Sequence, residues 1–218
     1  MSRGWLVSLP GLVLALAATN CAEREGPYVR PDQISDFGKL FEENCAGCHG
    51  HDGQHGGAPA LHNAIYQAWA PKDRMTLTIS RGRPGTPMPA WAVSEGGSLT
   101  EKQIQILVDG MKAEWKGDAP QNLPPYLSEP EGDSKRGAAA FGMYCAQCHG
   151  ADGRGGQKGG SVVDPAFLEL VTDQRLRITV VVGCAGGTTP NFTARVPGHP
   201  MQPQEISDVV AWVASHRQ

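Results

Sequence analysis

CAGCHGHDG, residues 45–53, and CAQCHGADG, residues 145–153, share Cys, Ala, Cys, His, Gly, Asp and Gly in register. A self-match at a fixed offset marks an internal repeat, and it divides the chain before any secondary structure is read. Between the copies runs KGDAPQNLPPYLSEPEGD (116–133), rich in Pro and acidic residues, which reads as a semi-extended linker. The expected organisation is a leader or anchor over 1–21, a module over 33–116, a linker over 117–133 and a second module over 134–218. Modules this small often need a covalent or cofactor staple.

Both modules read as helical. The first opens with ISDFGKLFEENC, whose Ile34, Phe37 and Phe41 share one helical face. It closes with TEKQIQILVDGM, where Thr100 and Gln103 suit a capping box and Ile104, Leu107, Val108 and Met111 form an apolar stripe. The second module repeats this with SKRGAAAFGMYC and with PQEISDVVAWVAS, where Ile206, Val209, Val210 and Val213 face inward. Between these helices each copy is rich in Gly and Pro. The fold class is therefore all-α: helix, Cys-containing turn, wrapping segment and final helix, in tandem.

Net charge is −3 over 218 residues with no long run of one sign, so nothing marks a nucleic-acid surface. The chain begins MSRGWLVSLPGLVLALAATNC. Its apolar stretch is short for a bilayer span and is broken by Pro10 and Gly11, which favours an export signal. Cys21 stands where a bacterial lipoprotein would carry its acyl chains, although ATN before it matches such a signal poorly. Lipid anchoring through Cys21, a retained signal-anchor and a free periplasmic protein all place the modules outside the cytoplasm.

Two cysteines at C-x-x-C spacing followed at once by histidine suit covalent attachment of haem c. The thiols add to the porphyrin vinyl groups, and the short turn brings the next imidazole under the ring centre as proximal iron ligand. Cys45, Cys48 and His49 are thus assigned to haem 1, and Cys145, Cys148 and His149 to haem 2. A zinc site would need a second Cys/His pair in each module, and a redox disulfide would need a βαβ setting. Neither is present in the sequence.

On these motifs each module resembles a class I c-type cytochrome, and together they cover nearly all of the chain after its leader. The resemblance implies crossing terminal helices and a wrapping loop whose methionine sulfur binds the iron's far side. MPAW after RG is similar to that loop and makes Met88 the sixth ligand of haem 1. Met75 lies too early for the role, and Met111 belongs to the last helix's stripe. The resemblance also implies a proline carbonyl that accepts the haem histidine's Nδ1–H; Pro59 fits in the first module, and Pro165 is the nearest choice in the second. His51 and His55 read as solvated loop residues.

Aligning RG at 81–82 with VG at 182–183 pairs Met88 with Thr189, Pro89 with Pro190 and Trp91 with Phe192. The proline and aromatic persist while the sulfur is lost. Met201 aligns with Leu99, the apolar residue ahead of the last helix, yet it is also the first candidate to ligate haem 2 through a rearranged loop. His199, an open site and the thiol of Cys184 remain as alternatives. Cys184 otherwise reads as a buried, inert thiol.

The resemblance implies a dihaem electron carrier on the periplasmic side of a bacterial membrane. It would pass single electrons from a quinol-oxidising complex toward a terminal oxidase or photosynthetic centre. The competing class is a dihaem peroxidase or the cytochrome subunit of a periplasmic dehydrogenase. A haem-based sensor is a third, and no signalling domain is seen in the sequence.

Overall fold

The computed structural model describes residues 28–184 and 189–217, and its described residues are organised by helices, with one isolated bridge between Ala92 and Leu99. The candidate anchor with Cys21 lies outside the described residues. Among the described residues no helix is long and apolar enough to cross a membrane.

The first half is built from α1 (Phe37–Asn44), α2 (Ala46–His49), α3 (Ala64–Trp69), α4 (Lys72–Arg81) and α5 (Glu101–Glu114). Asp36 caps α1 by accepting from the Lys39 amide at 2.7 Å, which satisfies one of the orphan N–H groups of the first turn. Thr100 and Gln103 form the expected capping box on α5, and Ile104, Leu107, Val108 and Met111 are all buried. Helix α5 crosses α1 closely. Phe37 and Phe41 meet the Trp115 ring edge-on at 5.4 and 4.9 Å between centroids. A Cβ on Gly110 would lie 2.3 Å from Phe37 Cγ, so only glycine admits that ring.

The second half repeats the plan with α6 (Ser134–Tyr144), α7 (Ala146–His149), α8 (Pro165–Glu169), α9 (Asp173–Val182) and α10 (Pro203–Ala214). Here the glycine sits on the opposite partner: a Cβ on Gly137 of α6 would lie 2.0 Å from the Asp208 carbonyl oxygen. Phe141 packs on Trp212 at 4.2 Å between centroids. Asp208, buried in α10, accepts from the Asp133 amide (2.7 Å), from Arg136 (2.8 and 2.9 Å) and from Gln204 (2.8 Å). Burial works against its charge, but these donors outweigh it and hold the carboxyl below its ordinary value. Ile206, Val209, Val210 and Val213 are buried as their spacing requires.

The segment between the halves is clasped rather than free. Trp69 Nε1 donates to the Pro124 carbonyl at 2.6 Å, and Gln174 Nε2 to that of Tyr126 at 2.9 Å. Arg177, fully buried, donates to the Pro125 carbonyl at 2.8 Å and to the Ser207 hydroxyl at 3.1 Å. A buried guanidinium is costly unless its donors are satisfied, and here oxygens of the linker and of α10 do it. Nothing in the pattern of α9 marks this residue in advance.

Candidate haem sites

Each C-x-x-C-H segment is a single helical turn continuing from a longer helix. Cys45 and Cys145 terminate α1 and α6, with amides bonded to Phe41 and Phe141 carbonyls at 2.8 Å in both cases. The turns α2 and α7 then end at Gly50 and Gly150, both in the left-handed region (φ 84° and 78°). This local fold puts two thiols and an imidazole at one edge of each half. All four thiols are unpaired with one another. Burial, with the neighbouring Cys48, pushes the Cys45 thiol up to about 12, which keeps it protonated.

His49 is buried and its Nδ1 lies 2.8 Å from the Pro59 carbonyl oxygen. A carbonyl can only accept, so Nδ1 carries the proton and Nε2 is left as a lone-pair donor. Burial lowers the proton affinity of His49; the Pro59 bond opposes this, and the Arg175 charge adds to it. In the second half His149 is half-buried and its Nδ1 lies 2.8 Å from the carbonyl oxygen of Gly160. The expected Pro165 is not the acceptor: it is the first residue of α8, capped by Asp164. The loop passes close to the ring here: a Cβ on the adjacent Gly159 would lie 2.9 Å from the imidazole.

Across from these turns, the two wrapping loops are held alike. Gly82 and Gly183 have φ of 64° and 82°, and a Cβ on either would collide with the loop backbone, 2.6 Å from the Met88 oxygen and 2.4 Å from the Thr189 oxygen. The Arg83 amide donates to Met88 O at 2.9 Å, and the Cys184 amide donates to Thr189 O at 3.1 Å. Thr189 therefore stands in the backbone position of Met88. Further on, the Leu99 amide donates to Trp91 O at 2.8 Å, and the Met201 amide donates to Phe192 O at 2.9 Å. Met201 is thus the counterpart of Leu99. The side chain of each is buried in the core, with 2 % of Met201 and 4 % of Leu99 exposed. Met201 thus stands just ahead of the last helix, buried as Leu99 is.

The remaining sequence candidates are dispersed. Met88 is half-buried, whereas Met75 and Met111 belong to the core. His199 is exposed, its amide bonded to Val196 O at 3.0 Å, and Cys184 is exposed, which corrects the expectation that it is buried. His51 pairs with Glu42 at 2.7 Å and His55 pairs with Asp52, both on the surface. Two residues, one beside each site, escaped the sequence reading. Arg195 donates to the Val180 carbonyl at 3.1 Å, while its buried Nε has no partner among the described residues. Burial lowers its pKa, and its charge lies within reach of Cys145, Cys184 and Cys148. Arg175, on α9, reaches the first half's site. Arginines in a loop and on a mostly apolar helix carry no positional signal that would have singled them out.

Among the described residues no group of three or more His, Cys, Asp and Glu side chains converges as a residue-built metal site would. The donor set suits haem c better: two thiols in a fixed turn and one imidazole with its free nitrogen opposite an anchored Nδ1–H, twice over. The residues present fit the group.

A family model described as cytochrome c oxidase, cbb3-type, subunit III matches residues 32–109, and one described as cytochrome c matches residues 134–217. The chain is 36% identical over 96 residues to cytochrome c55X of Stutzerimonas stutzeri, covering 44% of this chain and 73% of that protein. It is 34% identical over 134 residues to the cbb3-type cytochrome c oxidase subunit CcoP of Rubrivivax gelatinosus, covering 60% of this chain and 38% of that one. With the cbb3-type subunit FixP of Azorhizobium caulinodans the identity is 29% over 164 residues, covering 72% of this chain and 52% of the other. The chain thus spans about half or less of the length of these two oxidase subunits. A C-x-x-C-H turn falls inside each matched segment. The chain belongs to the c-type cytochromes, electron-transfer proteins, as two tandem all-α cytochrome c domains carrying two covalently bound haem c groups.

Proposed function

We propose that this protein is a dihaem electron carrier that passes single electrons between membrane redox complexes, from a quinol-oxidising complex toward a terminal oxidase or photosynthetic centre. The observation that carries the reading is the twofold donor set, with His49 and His149 each tied through Nδ1 to a carbonyl at 2.8 Å. The names of the oxidase-subunit relatives support the oxidase end of the route. The export-signal features of the first 21 residues support a periplasmic location, anchored through that segment or through acylated Cys21.

In this reading Cys45 and Cys48 hold haem 1, and Cys145 and Cys148 hold haem 2. A bound haem supplies a one-electron iron couple. The chain's own residues do the rest. The Pro59 and Gly160 carbonyls fix each imidazole plane and raise its basicity as a ligand. Met88 offers a thioether from the far side of haem 1, on a loop locked by Gly82. Thr189 offers none at the matching place, so the second site has no methionine where its twin has one. The two sites then differ in potential, and the site with sulfur ligation stands higher.

Pyridine haemochrome analysis is expected to return two c-type haems per chain, with haem stain retained on denaturing gels. One haem per chain would sink the assignment. Reduction by a quinol-oxidising complex and reoxidation by an oxidase, set against peroxide turnover, tests the carrier. Rapid peroxide turnover without either exchange would instead favour a dihaem peroxidase, the reading that the loss of methionine at Thr189 keeps in view.

Met201→Leu removes the sulfur and keeps the apolar staple. Because a Leu–Met exchange in a core costs less than about 1.5 kcal/mol, the protein is expected to fold, and with Met201 as the ligand of haem 2 the second potential is expected to fall or that iron to open to carbon monoxide. Unchanged potentials and spectrum would make Met201 a core residue and leave His199 as the leading candidate.

A further inference from the structure

The second domain meets the first where neither set of haem-attaching residues requires it. Helix α9 turns Arg175, Ile178 and Val182, one helical face, toward the Gln54–Ala60 segment that follows the first C-x-x-C-H turn. With Gly183 and Cys184 these residues enclose a cavity of about 320 Å³. Pro59 lines that cavity, and its carbonyl is the one that holds His49. Arg175 is half-buried there, and its hydrogen-bond partner among the described residues is the Thr179 hydroxyl at 2.6 Å. The ionisable groups around it include Cys184, Arg83, Tyr66 and His49, and His55, paired with Asp52, lines the same cavity. A guanidinium cannot shed its proton in a protein, so this charge stays in place beside the first site.

We propose that Arg175 is a positioning residue acting in trans: carried by the second domain, it sets the potential of the first domain's haem from across the boundary. The inference rests on His49 as the proximal ligand of that haem, the reading given above. The step it influences is the gain of one electron by ferric iron, in which no bond is made or broken. A fixed cation beside the site penalises the more positive ferric state and so favours the reduced one. Docking of the two domains is then part of the first domain's redox chemistry, because α9 brings the charge.

The test is a spectropotentiometric titration of the full-length, haem-loaded chain carrying Arg175→Gln or Arg175→Lys. Arg175→Gln is expected to weaken reduction of haem 1 about tenfold, a fall of about 59 mV for one electron, and to move haem 2 less. Arg175→Lys, which keeps the charge, is expected to retain most of the potential. An unchanged haem 1 potential in the glutamine variant, or a larger shift at haem 2, overturns the proposal. Should the glutamine variant bind fewer than two haems, Gln54→Glu sets a carboxylate across the same cavity with no change of shape. That variant is expected to lower the same potential, and no shift there overturns the proposal equally. Exchange with the quinol-oxidising complex and oxidase is scored separately, so a failed carrier assignment and a failed role for Arg175 give different results.

Discussion

Replacing Met88 with histidine is expected to lower one of the protein's two potentials strongly and to leave the other nearly unchanged. A thioether is a soft, neutral ligand that favours ferrous iron, and a second imidazole does not. Axial ligation shifts haem potentials over roughly 0.8 V in all, so this exchange is expected to exceed any change on the surrounding surface. The loop itself is held by backbone: the Arg83 amide bonds to Met88 O at 2.9 Å, and Gly82 lies directly beneath it. The substitution therefore changes the donor and not the path of the chain. Potentiometric titration with the two haems resolved is the measurement. A pair of potentials that move together, or neither moving, would remove Met88 from the first site.

The second large effect concerns the helix crossing that frames haem 2. Gly137→Ala is expected to destabilise the second domain by about 2 to 3 kcal/mol. The new Cβ would meet the Asp208 carbonyl oxygen at 2.0 Å and Trp212 Cβ at 2.6 Å, both on α10. One is backbone and the other is at the root of a side chain, so neither can move aside without parting the helices. Gly142→Ala on the same helix is the control, since nothing lies within 4 Å of its added methyl. There the helix propensity of alanine acts alone and is expected to stabilise by up to about 1 kcal/mol. Urea melts followed by helical circular dichroism, on the haem-loaded protein, separate the two. Equal effects from both substitutions would mean that α6 and α10 do not cross at Gly137.

Much of this was legible from residues alone, for a definable reason. The C-x-x-C-H spacing acts within one helical turn, so the chain's covalent geometry presents the thiols and imidazole together whatever the rest does. The stripes Ile104–Met111 and Ile206–Val213 and the capping box at Thr100 are likewise local, set by periods of three to four residues. The repeat's offset also paired Met88 with Thr189 and Met201 with Leu99, and the matched backbone bonds to Trp91 O and Phe192 O agree with that pairing. What the pairing could not weigh was whether packing or the sulfur explains Met201, since a buried position with 2 % exposure serves both roles.

Other features waited on the tertiary structure because they join atoms far apart in the chain. Which carbonyl meets His149 depends on how a Gly-rich loop folds back, and Gly160 rather than Pro165 arrives there. Arg177 is buried only because the Pro125 carbonyl and the Ser207 hydroxyl are brought to it from the linker and from α10. Arg175 approaches the first domain's histidine only because α9 packs against the loop after the first haem turn. By itself, then, the sequence determined the cofactor, its attachment and the all-α tandem, since these follow from short-range spacing. The carbonyl that holds His149 and the charge across the domain boundary belong to the tertiary structure, because long-range approach is decided by packing and leaves no period in the chain.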